Sequence, residues 1–145
     1  MRTLLCIAIA LAACAPGDKS RTSTSAGPAQ KYAGTWEGRS FRSASDTGTP
    51  WRIVTAVAPD GSLRGTLTYI SVTAPPIPIR TRDLSDSAVV NEIGPYHSIA
   101  ANADVVTTTT GKVRGDSLNG TFDMRPAGGG NVIMSGNFRS KRVAP

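Results

Sequence analysis

Nucleophilic catalysis needs an activated serine, threonine or cysteine with a base in hydrogen-bond reach. This 145-residue chain has one histidine, His97 in "GPYHSI", and no "GxSxG" elbow. A lone histidine near a loop is a poor base candidate. Metal sites need clustered His, Cys, Asp or Glu. Asp83 and Asp86 in "RDLSDS" stand close together. A polar loop is the plain reading of that pair and a loose Ca²⁺ site the sharper one. Glycoside hydrolysis needs two carboxylates that meet in space. Nothing in the spacing of Glu37, Asp60, Glu92 and Asp104 favours it. "Arg114-Gly115-Asp116" matches an integrin-recognition tripeptide, but Gly and Asp are also what a hairpin turn requires. No catalytic set emerges. The expectation is a non-enzymatic chain with no metal and no cofactor.

The two cysteines, Cys6 and Cys14, do not form a disulfide framework. Met1-Arg2 is a positive start, and Thr3 to Leu11 is an uncharged, largely apolar run of nine residues. That run is far short of the roughly 20 residues a membrane-spanning helix needs. It fits the apolar region of a secretory signal peptide. "Leu11-Ala12-Ala13-Cys14" then resembles the lipobox of bacterial lipoproteins. The resemblance implies cleavage before Cys14 and acylation of its sulfur. An ordinary secretory signal is the plainer alternative. Cleavage would leave one cysteine, its thiol consumed, in an oxidising envelope. Two or three acyl chains anchor stably where one is marginal. Ala15, rather than Asp, follows the cysteine. In the lipoprotein family that implies sorting to the outer membrane in a Gram-negative cell.

Residues 15–30, "APGDKSRTSTSAGPAQ", are rich in Pro, Gly, Ser and Thr and have a tether composition. Sixteen such residues span about 20–24 Å root-mean-square. The expected organisation is a signal peptide at 1–13, a lipidated Cys14 with tether at 14–30, and one domain at 31–145. The formal charge is +6, from sixteen basic and ten acidic side chains, and falls to +5 once Arg2 is removed. The basic residues are scattered except for Arg139, Lys141 and Arg142. That cluster reads as a solvated surface or as a contact for anionic headgroups or glycans. No nucleic-acid-binding motif appears.

The domain reads as all-β. In "TPWRIVTAV", Trp51, Ile53, Thr55 and Val57 alternate with Arg52, Val54 and Ala56. "PDG" at 59–61 is a hairpin turn signal, and Leu63, Leu67 and Tyr69 follow on one face. After the 114–116 turn, Leu118, Phe122 and Met124 face inward. A glycine turn at 128–130 precedes Val132, Met134 and Phe138, also aligned. "SIAANADVV" runs into four threonines and reads as one long strand. Prolines 75, 76 and 78 mark an irregular or edge segment. "Ser62-Leu63-Arg64-Gly65-Thr66-Leu67" is matched by "Ser117-Leu118-Asn119-Gly120-Thr121-Phe122". Both put glycine on the inward face, where a strand bends or a neighbour packs across it. A small antiparallel up-and-down barrel or a curled meander, of about eight strands, satisfies these signals.

"Ala33-Gly34-Thr35-Trp36" has the Gly-x-Trp pattern that opens the calycin barrels, lipocalins and avidins among them. Residues 53–72 resemble the corresponding strand–turn–strand of streptavidin. The resemblance implies an eight-stranded barrel. It also implies that a basic residue near the C-terminus, Arg139 or Arg142, packs over Trp36 by a cation–π contact. The avidin biotin contacts are not reproduced. Gly38 stands where avidins carry a polar contact, and Leu67 where they carry an aromatic hydroxyl. No tryptophan follows Trp51 and no aspartate follows Asp123. The resemblance therefore implies architecture and argues against biotin.

The remaining candidates are aromatic: Trp36, Trp51, Tyr69, Tyr96 and Phe122. Core packing is their plain reading. In a barrel with an open mouth, Trp36, Trp51, Tyr69 and Phe122 would line an apolar pocket. The expected function is a lipid-anchored binding module for a small apolar ligand or a protein partner in the cell envelope. The alternative is a structural or inhibitory envelope protein that acts through its surface.

Overall fold

The computed structural model describes residues 27–144. Cys14, the signal peptide and most of the expected tether lie outside the described residues. One short helix and eight strands follow in order: α1 (Pro28–Tyr32), β1 (Gly34–Phe41), β2 (Thr49–Val57), β3 (Leu63–Tyr69), β4 (Ile77–Leu84), β5 (Val89–Ser98), β6 (Ala103–Arg114), β7 (Ser117–Pro126) and β8 (Met134–Val143). Each strand pairs antiparallel with the next, and β8 pairs with β1. The sheet is a closed up-and-down barrel, so no strand edge is left unpaired.

The alternation read in the sequence sets the inner face. Trp51, Thr55, Leu63, Leu67, Leu118, Phe122, Met124 and Phe138 are buried inside, while Arg52, Arg64, Asn119 and Asp123 are exposed. On the outer face Arg52 pairs with Glu37 and Arg82 with Glu92 across strands. Such exposed pairs contribute little to stability.

The matched glycines mark close approaches between strands. A Cβ at Gly65 would lie 2.2 Å from the Val54 carbonyl oxygen, and one at Gly120 only 1.9 Å from that of Thr110. Only glycine lets these strands come so near as the sheet curls shut.

Four local expectations are corrected. "SIAANADVV" is not one strand: β5 ends at Ser98, and a turn of residues 99–102 precedes β6. Asn102 takes a left-handed φ of 46°, which asparagine tolerates, and the Ser98 hydroxyl accepts from the Ala101 amide. Pro75 and Pro76 lie in an irregular segment before β4, as expected, but Pro78 does not lie on an edge. It sits opposite Thr66 inside the β3–β4 ladder, the shortest in the barrel, with four register pairs. β4 is an interior strand, paired with β3 and β5, and the proline content shows as that shortened ladder. Val132 is exposed in the loop before β8, because positive φ at Gly129 and Gly130 delays the strand until Met134. Pro28, Ala29 and Gln30, read as tether, belong to α1, where Ala29 is buried against the barrel.

Two irregularities change which residues point inward. Register shifts fall between Thr81 and Asp83 in β4 and between Ile93 and Tyr96 in β5. In β5 the inward positions are odd-numbered up to Ile93. After the bulge at Gly94-Pro95 they are even-numbered, Tyr96 and Ser98. A bulge inserts one residue and reverses every side chain beyond it.

Candidate functional site

The two ends of the barrel differ. One end is closed by α1. Trp36 is fully buried there, and its indole N–H donates to the Tyr32 carbonyl at 3.1 Å. The Thr55 hydroxyl donates to the same carbonyl at 2.8 Å. The Arg142 guanidinium covers the Trp36 ring, 4.2 Å from its centroid. It also donates to the carbonyls of Ala33 and Lys31. Arg139, the other basic residue expected in this role, is exposed on the outer face opposite Arg39. Alternation along β8 separates the two arginines: odd positions 139 and 141 point outward, and 142 reaches the closed end. The Tyr32 ring is buried, and its hydroxyl alone among buried side-chain polar atoms of the described residues has no hydrogen-bond partner. Burial, and then the negative charge of Asp86, hold its phenol above the ordinary range.

The other end opens into a cavity of about 570 Å³. Trp51, Ile53, Leu67, Phe122, Met124 and Phe138 supply apolar wall. Trp51 and Phe138 meet edge-on, with ring centroids 6.0 Å apart. Nine lining residues carry a hydroxyl, Ser98 and Thr109 among them, and three of these nine contact one another. Tyr69 lies 3.4 Å from Tyr96, oxygen to oxygen, and Tyr96 lies 2.9 Å from Thr107. Burial holds the Tyr69 phenol far above its ordinary range, and the adjacent Tyr96 adds to this. Among the described residues no Asp, Glu or Lys lines the cavity. Its basic members are Arg42 and His97, which belong to the mouth.

The expected site residues divide between the two ends. Trp51, Tyr69 and Phe122 line the cavity together. Trp36 does not: it is walled off at the closed end, and the expectation that it faces the pocket is corrected. Thr107 and Arg42 line the cavity without having been singled out, and Met134 lines it on the face it was aligned to share with Phe138. Four consecutive threonines, 107–110, place a hydroxyl on both faces of β6, which was the readable signal for Thr107. Tyr96 was legible as an aromatic but not as an inward one, because the bulge reverses its side.

His97 sits at the rim, exposed, with Nδ1 3.1 Å from Asp104. Among the described residues no hydroxyl is hydrogen-bonded to it. No group of three His, Cys, Asp or Glu that could hold a metal occurs among the described residues.

This barrel is similar to that in the crystal structure of a rhizavidin–biotin complex. The two align with a TM-score of 0.53 at 14% identity, over 78% of this chain and 92% of that one. The fold is avidin-like. A second rhizavidin crystal structure aligns with a TM-score of 0.43 at 13% identity, over 77% of this chain and 84% of that one. No protein-family model and no curated protein matches the chain. In the avidin-like barrel, position 38 brings no side chain to the interior. A Cβ there would lie 2.3 Å from the Arg139 carbonyl oxygen.

Proposed function

We propose that this chain is a binding module, anchored in the cell envelope by a lipid on Cys14, that holds a small and mostly apolar ligand in its barrel. The cavity carries this reading. An eight-stranded barrel either fills with side chains or keeps room for one small molecule. About 570 Å³ is within the range of small-molecule sites, and apolar walls with a few placed polar groups are their usual lining. The likeness to a biotin-bound rhizavidin supports a barrel used as a container. The absent polar group at Gly38, and Leu67 on the wall, support a different ligand.

A neutral apolar fluorophore tests the reading. N-phenyl-1-naphthylamine should bind saturably, with one site per chain. A folded chain that does not bind it overturns the proposal.

A second reading has its own observation. Among the described residues, five of the seven exposed large hydrophobic residues cluster at the open end: Ile70, Val72, Ile99, Val132 and Ile133. An apolar collar of this kind fits a surface that contacts another molecule. Surface action without an internal ligand is the outcome if the fluorophore fails to bind.

A further inference from the structure

Three of the cavity hydroxyls form a chain that is short of acceptors. Tyr69, Tyr96 and Thr107 carry one hydroxyl hydrogen each. They make two contacts with one another, at 3.4 and 2.9 Å, and no other side-chain or backbone partner among the described residues. Two contacts use two hydrogens. Whichever way the hydrogens point, one remains for something else. The cross-strand neighbours of these residues are apolar: Trp51 opposite Tyr69, Ile93 and Met124 beside Thr107, and Val105 opposite Tyr96. A polar group buried among such neighbours needs a partner.

We propose that the ligand places one neutral oxygen acceptor, a ketone, ester or amide carbonyl, against the Tyr69–Tyr96–Thr107 hydroxyls while its apolar body fills the rest of the cavity. This rests on the cavity being a ligand site. The acceptor is neutral because the wall offers no cation to a buried anion. Among the described residues the one guanidinium lining the cavity is that of Arg42, at the mouth, with its Nε 3.5 Å from Asp46. A bare carboxylate at the hydroxyls would lose its hydration with no counter-charge. The position also differs from the avidin pattern. Gly38 and Leu67 remove the polar contacts expected on β1 and β3, and the linked hydroxyl trio stands at 69, 96 and 107 instead.

The experiment is displacement of N-phenyl-1-naphthylamine from the purified chain. The competitors are 2-undecanone and 2-methyl-1-undecene, which share a shape and differ at the carbonyl oxygen. Their affinity ratio is measured in the wild type and in Tyr69→Phe/Thr107→Val. The ketone should weaken about five- to tenfold relative to the alkene in the variant, as for the loss of one hydrogen bond. An unchanged ratio overturns the proposal and leaves the apolar container standing. A wild type that does not bind the fluorophore overturns both. If the double variant does not fold, the infrared stretch of the bound ketone in the wild type decides. A shift to lower wavenumber than in alkane solvent supports the contact, and an alkane-like position overturns it.

Discussion

The Arg142 guanidinium stacks 4.2 Å from the centroid of the Trp36 ring, at the end of the barrel away from the cavity. The two residues are 106 positions apart in sequence, and β1 and β8 bring them together in register. The same guanidinium ties down the carbonyls of Lys31 and Ala33. It therefore joins the C-terminal strand, the N-terminal strand and the helix that closes the base.

Arg142→Ala removes the stack and both hydrogen bonds, and should cost about 2–3 kcal/mol. Arg139→Ala, on the exposed face, should cost less than about 0.5 kcal/mol. Urea denaturation midpoints of the two variants check this. Equal losses would mean that the base is not closed in this way.

Gly120→Ala should destabilise by at least about 2 kcal/mol, since backbone must move to admit the new Cβ. That Cβ would sit 1.9 Å from the Thr110 carbonyl oxygen. Gly128→Ala meets nothing within 4 Å, so its effect should stay within about 0.5 kcal/mol. Thermal melts of the pair separate close approach from a general intolerance of substitution.

The two tryptophans report on opposite ends. Trp51 lines the cavity and Trp36 does not. Ligand binding should change the emission of the wild type and of Trp36→Phe. It should leave the emission of Trp51→Phe nearly unmoved. A response retained in Trp51→Phe would place the ligand elsewhere.

Alkaline pH should destabilise the fold. The folded chain holds the Tyr32 and Tyr69 phenols above their ordinary value. Unfolded tyrosine ionises near pH 10. Above that pH the unfolded chain binds fewer protons than the folded one, so stability falls as pH rises. Below pH 10 this contribution is fully present. Denaturation midpoints at pH 8 and pH 11 should differ, and Tyr69→Phe should reduce the difference. A midpoint independent of pH across that range would contradict the burial.

Cys14→Ala should abolish acyl labelling and membrane fractionation while leaving the barrel's stability unchanged. Fractionation that persists would remove the anchor from the proposed function.

The period-two pattern was enough to identify an all-β chain, a barrel or a curled meander, and the tertiary structure closes it as a barrel. Trp51, Leu63, Leu67, Leu118 and Phe122 face inward as the alternation requires, and the matched glycines at 65 and 120 lie where strands press together. The pattern failed where one residue is inserted or where a glycine changes the backbone direction. The bulge in β5 reverses Tyr96, and Gly129 and Gly130 postpone β8 past Val132.

Alternation is local, so composition and spacing alone determine an all-β chain with inward aromatics, while the address proposed at Cys14 rests on a resemblance to the lipobox. What those aromatics do is a long-range matter. Trp36 and Trp51 look alike along the chain, yet strand direction sends one to the base under α1 and Arg142 and the other to the cavity wall. The meeting of Tyr69, Tyr96 and Thr107 depends on a register shift and on the closure of three strands. No local preference encodes either, and only the assembled barrel decides them.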